Sequence, residues 1–373
     1  MVTGRLAGID CGTNSIRLLI ADVRDGRLRD VHRETRIVRL GQGVDATGEF
    51  APEAIARTRA ALSDYADLLK QHGVQRVRMV ATSAARDVGN RADFFSMTAD
   101  VLGAVLPGAV AEVITGADEA ELSFRGAVGE LDSAAGPFVV VDLGGGSTEI
   151  VVGGSDGVTA SHSADIGCVR LTERCLHSDP PTPEEVALAR QVVRERLEVA
   201  LGVVPVEGAR TWVGVAGTMT TLSALAHDLP AYDSAAIHLS RVSGRDLLAV
   251  CERLIGMTRA QRAALPPMHA GRADVIAGGA VVVEELAREF RAARHRRADG
   301  QRARHPGRHR AVHRGVGHFG HGRLRWRSLT DVPAGGPSRT SPLEVPHGRL
   351  RSMSLTDVPA RCPSRTSPRE ARC

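Results

Sequence analysis

The sequence predicts an α/β protein of two duplicated halves around a cleft, followed by a tail of different character. Three observations carry this. Apolar strands come first and then alternate with amphipathic helices, the pattern of a mixed sheet with helical cover. That pattern stops at the turn-rich segment LDSAAGP, Leu131–Pro137, and then begins again. Asp10, Gly12 and Ser15, which follow the first strand, return 132 positions later as Asp142, Gly144 and Ser147. A chain of 373 residues that is 43% apolar has the length for two or three domains with buried cores. The expected boundaries are 1–130, 131–290 and 291–373.

In the first half, short apolar strands at Arg5–Asp10 and Ile16–Val23 flank the turn Cys11–Ser15, and a third strand runs near Arg27–Leu40. A helix is expected from Pro52 to Gln71, with proline at its start and Gly73 just beyond its end. A strand at Val77–Ala81, a helix near Arg91–Val105, a strand at Val110–Ile114 and a helix near Glu119–Val128 follow. The second half repeats the opening. Strands are expected at Phe138–Asp142, Thr148–Val152 and Val158–Asp165, the first two joined by the glycine turn Leu143–Ser147. Thr182-Pro183-Glu184-Glu185 is a capping box that opens a helix to about Leu201. Strand Thr211–Ala216 leads through Gly217-Thr218 into a helix, and Gly244–Ile255 and Asp274–Arg288 read as two more.

After about Glu289 the periodicity is lost. The segment HGRLRWRSLTDVPAGGPSRTSP from His321 returns as HGRLRSMSLTDVPARCPSRTSP from His347, rich in Arg, Pro and Ser. A repeat of that composition lacks a face that could form a core. The tail is therefore expected to be low-complexity and disordered, or to arise from out-of-frame translation. From Arg291 onward 19 Arg face five acidic residues, so the tail carries +14 and residues 1–290 carry −9. The basic pI belongs to the tail and gives no information on partners of the body.

Composition excludes several chemistries. Lys70 is the only lysine, which removes a P-loop lysine, a kinase strand lysine and a Schiff-base lysine. Aromatics at 3% argue against a stacking surface for nucleic acid. Six cysteines show no CxxC pair or zinc spacing, and no HExxH or G-x-S-x-G segment occurs. No apolar run is long enough to span a membrane, and Met1 leads directly into a strand, so a cytoplasmic protein is expected.

What remains is a strand, an aspartate and a glycine–hydroxyl turn, twice. Glycines let the backbone approach a phosphate closely. Its N–H groups, with Thr13, Asn14 and Ser15 after Gly12, or Ser147 and Thr148 after Gly144, Gly145 and Gly146, supply donors. Asp10 and Asp142 can hold Mg²⁺ directly or through its water shell. One Asp-Gly hairpin is a common turn; two at matching places imply a phosphate site between the halves. A third turn, with Gly217 and Thr218 between a strand and a helix, presents N–H groups at a natural anion position.

The segments GIDCGTNSIRLL, ATSAARD, ITGADEAELSF, VVVDLGGGSTEIV, IGCVRLTE and GVAGTMTTLSA, in that order over residues 5–290, resemble the exopolyphosphatase / guanosine pentaphosphate phosphohydrolase family. The likeness is to its short two-domain members from actinobacteria. The resemblance implies two ribonuclease-H-like domains of the actin and sugar-kinase superfamily. It also implies metal-dependent (Mg²⁺ or Mn²⁺) release of the terminal phosphate of inorganic polyphosphate. Alternatives are guanosine pentaphosphate hydrolysis to the tetraphosphate, within the alarmone chemistry of the stringent response, and non-catalytic binding of either anion. A homodimer is implied as well.

Physics alone leaves Glu119, Asp118, Glu112 and Glu121 open as the base; the resemblance of ITGADEAEL places Glu119 there. It likewise puts Arg86 of ATSAARD near the phosphates and makes Glu149 a further metal or water ligand. One departure stands out. The family continues past the last helix with a strand and a helix, where this chain has its Arg/His-rich run, so an uncovered sheet edge is expected.

Overall fold

The computed structural model describes residues 2–24, 27–86, 88–304 and 323–326. Two sheets organise it, and both lie in one compact unit spanning Met1–Ala334. The first contains β1 (Val2–Cys11), β2 (Ser15–Arg24), β3 (Arg27–Ile37), β4 (Arg76–Ala81) and β5 (Ala111–Val113), in the order β3-β2-β1-β4-β5. The three leading strands are antiparallel, and β4 and β5 run parallel to β1. The second contains β6 (Phe138–Leu143), β7 (Thr148–Gly154), β8 (Gly157–Ala164), β9 (Thr211–Val215), β10 (Arg241–Ser243) and β11 (Arg323–Trp326), in the order β10-β11-β9-β6-β7-β8. Here β6, β7 and β8 are antiparallel, and β9 runs parallel to β6. The halves share one ribonuclease-H-like plan, as the recurrence of the Asp–Gly–Ser turn predicts.

Helices fill the connections: α1 (Val44–Thr47), α2 (Pro52–Gln71), α3 (Ser83–Arg86), α4 (Arg91–Gly103), α5 (Gly116–Val128), α6 (Cys168–Cys175), α7 (Pro183–Val203), α8 (Ala216–Ala226), α9 (Ser234–Ile237), α10 (Gly244–Gly256), α11 (Arg259–Ala263) and α12 (Ile276–Arg304). The first core joins Ile9, Ile16 and Ile20 of the strands to Leu62, Tyr65 and Leu69 of α2 and to Phe94 and Leu102 of α4. Burial of each such side chain is worth about 1.5–3 kcal/mol. The second core gathers Val139, Ile150, Met219, Leu247 and the apolar run Val281–Val283 of α12. Helix α5 stands in the first half of the sequence, yet it buries Ala120, Phe124 and Ala127 against Phe138, Val140 and Val151 of the second sheet.

The chain after Glu289 departs from the sequence reading. Helix α12 continues to Arg304, and Arg323–Trp326 forms β11, parallel to β9 and antiparallel to β10. The tail was expected to have no regular structure; four of its residues instead occupy the fifth-strand position of the repeated plan. The edge of β9 is thus paired rather than bare, because Leu324, Arg325 and Trp326 align with Trp212, Val213 and Gly214. The remainder of the expected disordered or out-of-frame tail, 305–322 and 327–373, lies outside the described residues. Among the described residues no helix is long and apolar enough to cross a membrane.

Candidate active site

The two glycine turns fold alike. Gly12 N–H donates to Ser15 C=O at 2.9 Å, and Gly144 N–H to Ser147 C=O at 3.0 Å. Each closes a tight reversal between antiparallel strands, and the aspartate, Asp10 or Asp142, is the next-to-last residue of the first strand. The halves meet at these turns. A Cβ added to Gly145 would come within 2.8 Å of Thr13 Cβ, and one on Gly146 within 2.8 Å of Thr13 Oγ1. Only glycine allows that approach. A pocket of about 340 Å³ opens there, lined by Asp10, Gly12, Thr13, Asn14 and Ser15 on one side and Asp142, Gly144, Gly145, Gly146 and Ser147 on the other. Gly217 and Thr218, at the start of α8, line it from a third direction. Ala216, beside them, has φ of 70°, a strained value for a residue with a Cβ.

The four carboxylates left open by the sequence now separate. Asp118 is the N3 residue of a capping box: its carboxylate accepts from the Thr115 hydroxyl at 2.7 Å and from Thr115 N–H at 3.2 Å, which hold its pKa below the ordinary value. Glu112 pairs with Arg78, and Glu121 with Arg125 at 2.7 Å, both toward solvent. Glu119 alone of the four lines the pocket. It sits one residue past the capping aspartate, so the cap that fixes the helix start also aims Glu119 inward. Arg86 Nη1 donates to Glu119 Oε2 at 2.9 Å and to Ile114 C=O at 3.1 Å. Arg86 therefore holds Glu119 in place and is not itself among the residues lining the pocket.

Electrostatics here favour protonation. Burial, then Asp142 and Asp10, push Glu119 up to about 7, against the opposing pull of Arg86. Burial also raises Asp142, which accepts a short hydrogen bond from Ser123. Glu149 is 1% exposed and lies behind the pocket, accepting from Ser163 at 2.8 Å and from Ser147. Burial and the neighbouring Glu119 and Asp142 raise it well above the ordinary value. Thr148 also points away, donating to Ile166 C=O at 2.6 Å. The two strand-end aspartates and Glu119 are thus brought together, while Glu149 and Thr148 are committed to packing hydroxyls and backbone.

Among the described residues no three His, Cys, Asp or Glu side chains gather closely enough to hold a metal by themselves. A hydrated Mg²⁺ needs only one or two carboxylates, with water and phosphate oxygens completing its shell. Asp10, half-exposed, and Asp142 fit that requirement, and a cation held there would offset the burial and carboxylate repulsion that raise Asp142 and Glu119.

Sequence reasoning missed several lining residues, among them Arg17, Arg272, Ser83 and Ser123. Arg17 lies opposite Asp10 across the hairpin and donates to its Oδ2 at 2.8 Å. Although burial opposes it, Asp10 and Asp142 keep the Arg17 pKa raised. The signal is an arginine within the apolar run 16–21, in register with an aspartate. Arg272 packs its guanidinium onto Gly217, where any Cβ would collide with it; burial and Arg17 lower its pKa. Ser83 and Ser123 lie within the segments ATSAARD and ITGADEAELSF, but no charge or turn pattern singles them out.

The matching family model, described as Ppx/GppA phosphatase family, covers residues 19–301. Exopolyphosphatase 2 of Mycobacterium tuberculosis is 77% identical over 295 residues, 78% of this chain and 92% of that protein. The crystal structure of an exopolyphosphatase-like protein superposes with a TM-score of 0.76 at 39% identity, covering 87% of this chain and 95% of that one. The Aquifex aeolicus Ppx/GppA family member gives 0.62 at 31% identity, over 77% of this chain and 91% of its own. With its paired glycine turns, its inward carboxylate and these likenesses together, the chain belongs to the Ppx/GppA phosphatase family.

Proposed function

We propose that the protein is an exopolyphosphatase, cutting the terminal phosphate from inorganic polyphosphate by hydrolysis. One observation carries the reading: among the described residues, two buried side-chain atoms of the pocket without a partner, Asn14 Nδ2 and Ser83 Oγ, can both donate hydrogen bonds. A site whose unmet groups are donors, flanked by Arg17 and Arg272, suits a polyanion. The 77% identity to a protein named exopolyphosphatase 2 supports the same substrate.

In this mechanism the glycine turns and the hydroxyls of Thr13, Ser15, Ser147 and Thr218 bind the terminal phosphoryl oxygens. Glu119, ionised, takes a proton from the attacking water. The new P–O bond forms as the anhydride P–O bond breaks, releasing orthophosphate and a chain one unit shorter that leaves as an anion. Asp10 and Asp142 would hold Mg²⁺, which when bound neutralises charge on the phosphoryl oxygens. Arg86 keeps the Glu119 carboxylate pointed at the water, and Arg17 and Arg272 balance the charge of the remaining chain. Such catalysis rests on alignment and charge stabilisation, with general-base assistance supplying about 10²–10⁴-fold. A cytoplasmic location and a homodimer belong to the same reading.

The test is phosphate release with Mg²⁺ from long-chain polyphosphate, guanosine pentaphosphate and a simple phosphomonoester in parallel. Orthophosphate as the sole small product from polyphosphate, at a higher kcat/KM than from the other two, is expected. Preference for guanosine pentaphosphate would overturn the substrate assignment.

A further inference from the structure

We infer that Ser83 is a phosphate-binding residue of this site, donating its hydroxyl to the same oxygen cluster that Thr13 and Gly146 surround. The inference rests on the proposed polyanion site and adds a contact supplied by neither glycine turn.

Ser83 opens the one-turn helix α3, directly after β4, and is 3% exposed. Among the described residues its Oγ has no hydrogen-bond partner. Buried hydroxyls are seldom left in that state, and where they are, an unseen ligand or water is the usual explanation. The location identifies the ligand. A Cβ on Gly146 would collide with Ser83 Oγ and lie 2.8 Å from Thr13 Oγ1. Two hydroxyls from the first sheet's side and one glycine from the second sheet's side therefore converge on one point of the pocket wall. Asn14 Nδ2, another unpartnered buried donor among the described residues, lines the same pocket. Arg17 lines the same pocket, and its positive charge suits an oxygen that carries negative charge.

The short helix adds a functional link. Arg86, three residues after Ser83 and so on the same side of the turn, holds Glu119 at 2.9 Å. One helical turn thus presents a donor toward the phosphate and a guanidinium to the base. A phosphate bound by Ser83 would be registered against the carboxylate that activates the attacking water.

The competing explanation is steric: a small residue is needed beside Gly146, and the hydroxyl is incidental. Alanine separates the two, since it keeps the small size and removes the donor. Hydrogen bonds to charged groups imply a loss of about 10- to 100-fold when such a donor is deleted. Wild type and Ser83→Ala are compared for kcat/KM on polyphosphate and for the inhibition constant of inorganic phosphate. Melting temperature without ligand monitors folding. Expected are an unchanged melting temperature, a kcat/KM lower by about 10- to 100-fold, and weaker phosphate inhibition by a similar factor. Wild-type values of both constants in a folded Ser83→Ala protein would overturn the inference. Should the wild type hydrolyse nothing, binding of inorganic phosphate and polyphosphate is measured by calorimetry. Weaker binding by Ser83→Ala would then support Ser83 while the hydrolytic reading fails, and equal or absent binding would overturn it.

Discussion

Replacing Glu119 by glutamine should make the protein more stable, and only above a defined pH. In the fold, burial and the nearby Asp142 hold Glu119 at about 7 against an ordinary 4.5. A carboxyl raised in this way keeps a proton that the unfolded chain has already released. Its penalty is therefore absent below about 4.5, grows as pH rises, and is complete above about 7. At about 1.4 kcal/mol per pH unit the full gap is worth about 3 kcal/mol. The side chain is 16% exposed, and this solvent access trims the figure to about 2–3 kcal/mol. Glutamine resembles the protonated acid in shape and can still accept from Arg86, so the variant should match the wild type at low pH. Melting temperatures are measured from pH 4.5 to 8.5 with chelator and without phosphate. At about 2–4 °C per kcal/mol, Glu119→Gln should melt about 5–10 °C higher at pH 8 and within a degree or so at about pH 4.5. A constant difference at every pH, or a variant less stable at pH 8, would refute the placing of an unrelieved carboxylate in this pocket.

Further outcomes follow from the same geometry. As Glu119 must be ionised to act as base, kcat/KM for polyphosphate should rise through about pH 7 in the free enzyme. Arg86→Gln removes a group that lowers this pKa, so it should move that limb upward, visible in a pH–rate profile. Gly146→Ala puts a methyl against Ser83 and Thr13 and should cost at least about 100-fold in kcat/KM, with the melting temperature separating this from unfolding. Asp45 accepts from Arg174 at 2.7 Å and also faces Arg170, joining α1 to α6. Asp45→Ala should lower stability by about 1 kcal/mol in urea melts, an effect that shrinks with added salt. Ending the chain at Arg304 removes β11 from between β9 and β10 and should lower the melting temperature by several degrees in calorimetry.

The sequence revealed most where the physics is local. The Asp10 and Asp142 turns are short, glycine-dependent and duplicated, so their shape and chemistry could be read without contacts. The capping box at Thr182 is likewise written in four residues. Long-range packing was not legible. That α5 buries Phe124 on the second sheet depends on which apolar face meets which, and an amphipathic helix does not name its partner. Arg272 reaches Gly217 from a one-turn segment with no periodicity, and Ser83 becomes notable only when Gly146 is brought against it. Strand β11 is four residues long within a low-complexity stretch, too short for alternation to declare it; the parallel edge of β9 selects it. The choice of Glu119 over Asp118 needed the cap geometry as well, since adjacent carboxylates look alike in sequence while one binds Thr115 and the other faces the pocket.

The central claim is that Glu119 activates water against a terminal phosphate held between the two glycine turns. Its most direct test is the initial rate of orthophosphate release from long-chain polyphosphate with Mg²⁺, for wild type and Glu119→Gln side by side, with polyphosphate binding measured on both. Expected are steady release by the wild type, a rate about 10²–10⁴-fold lower in the variant, and polyphosphate affinity kept within a few-fold. Comparable rates from the two proteins, or loss of binding equal to loss of rate, would contradict it.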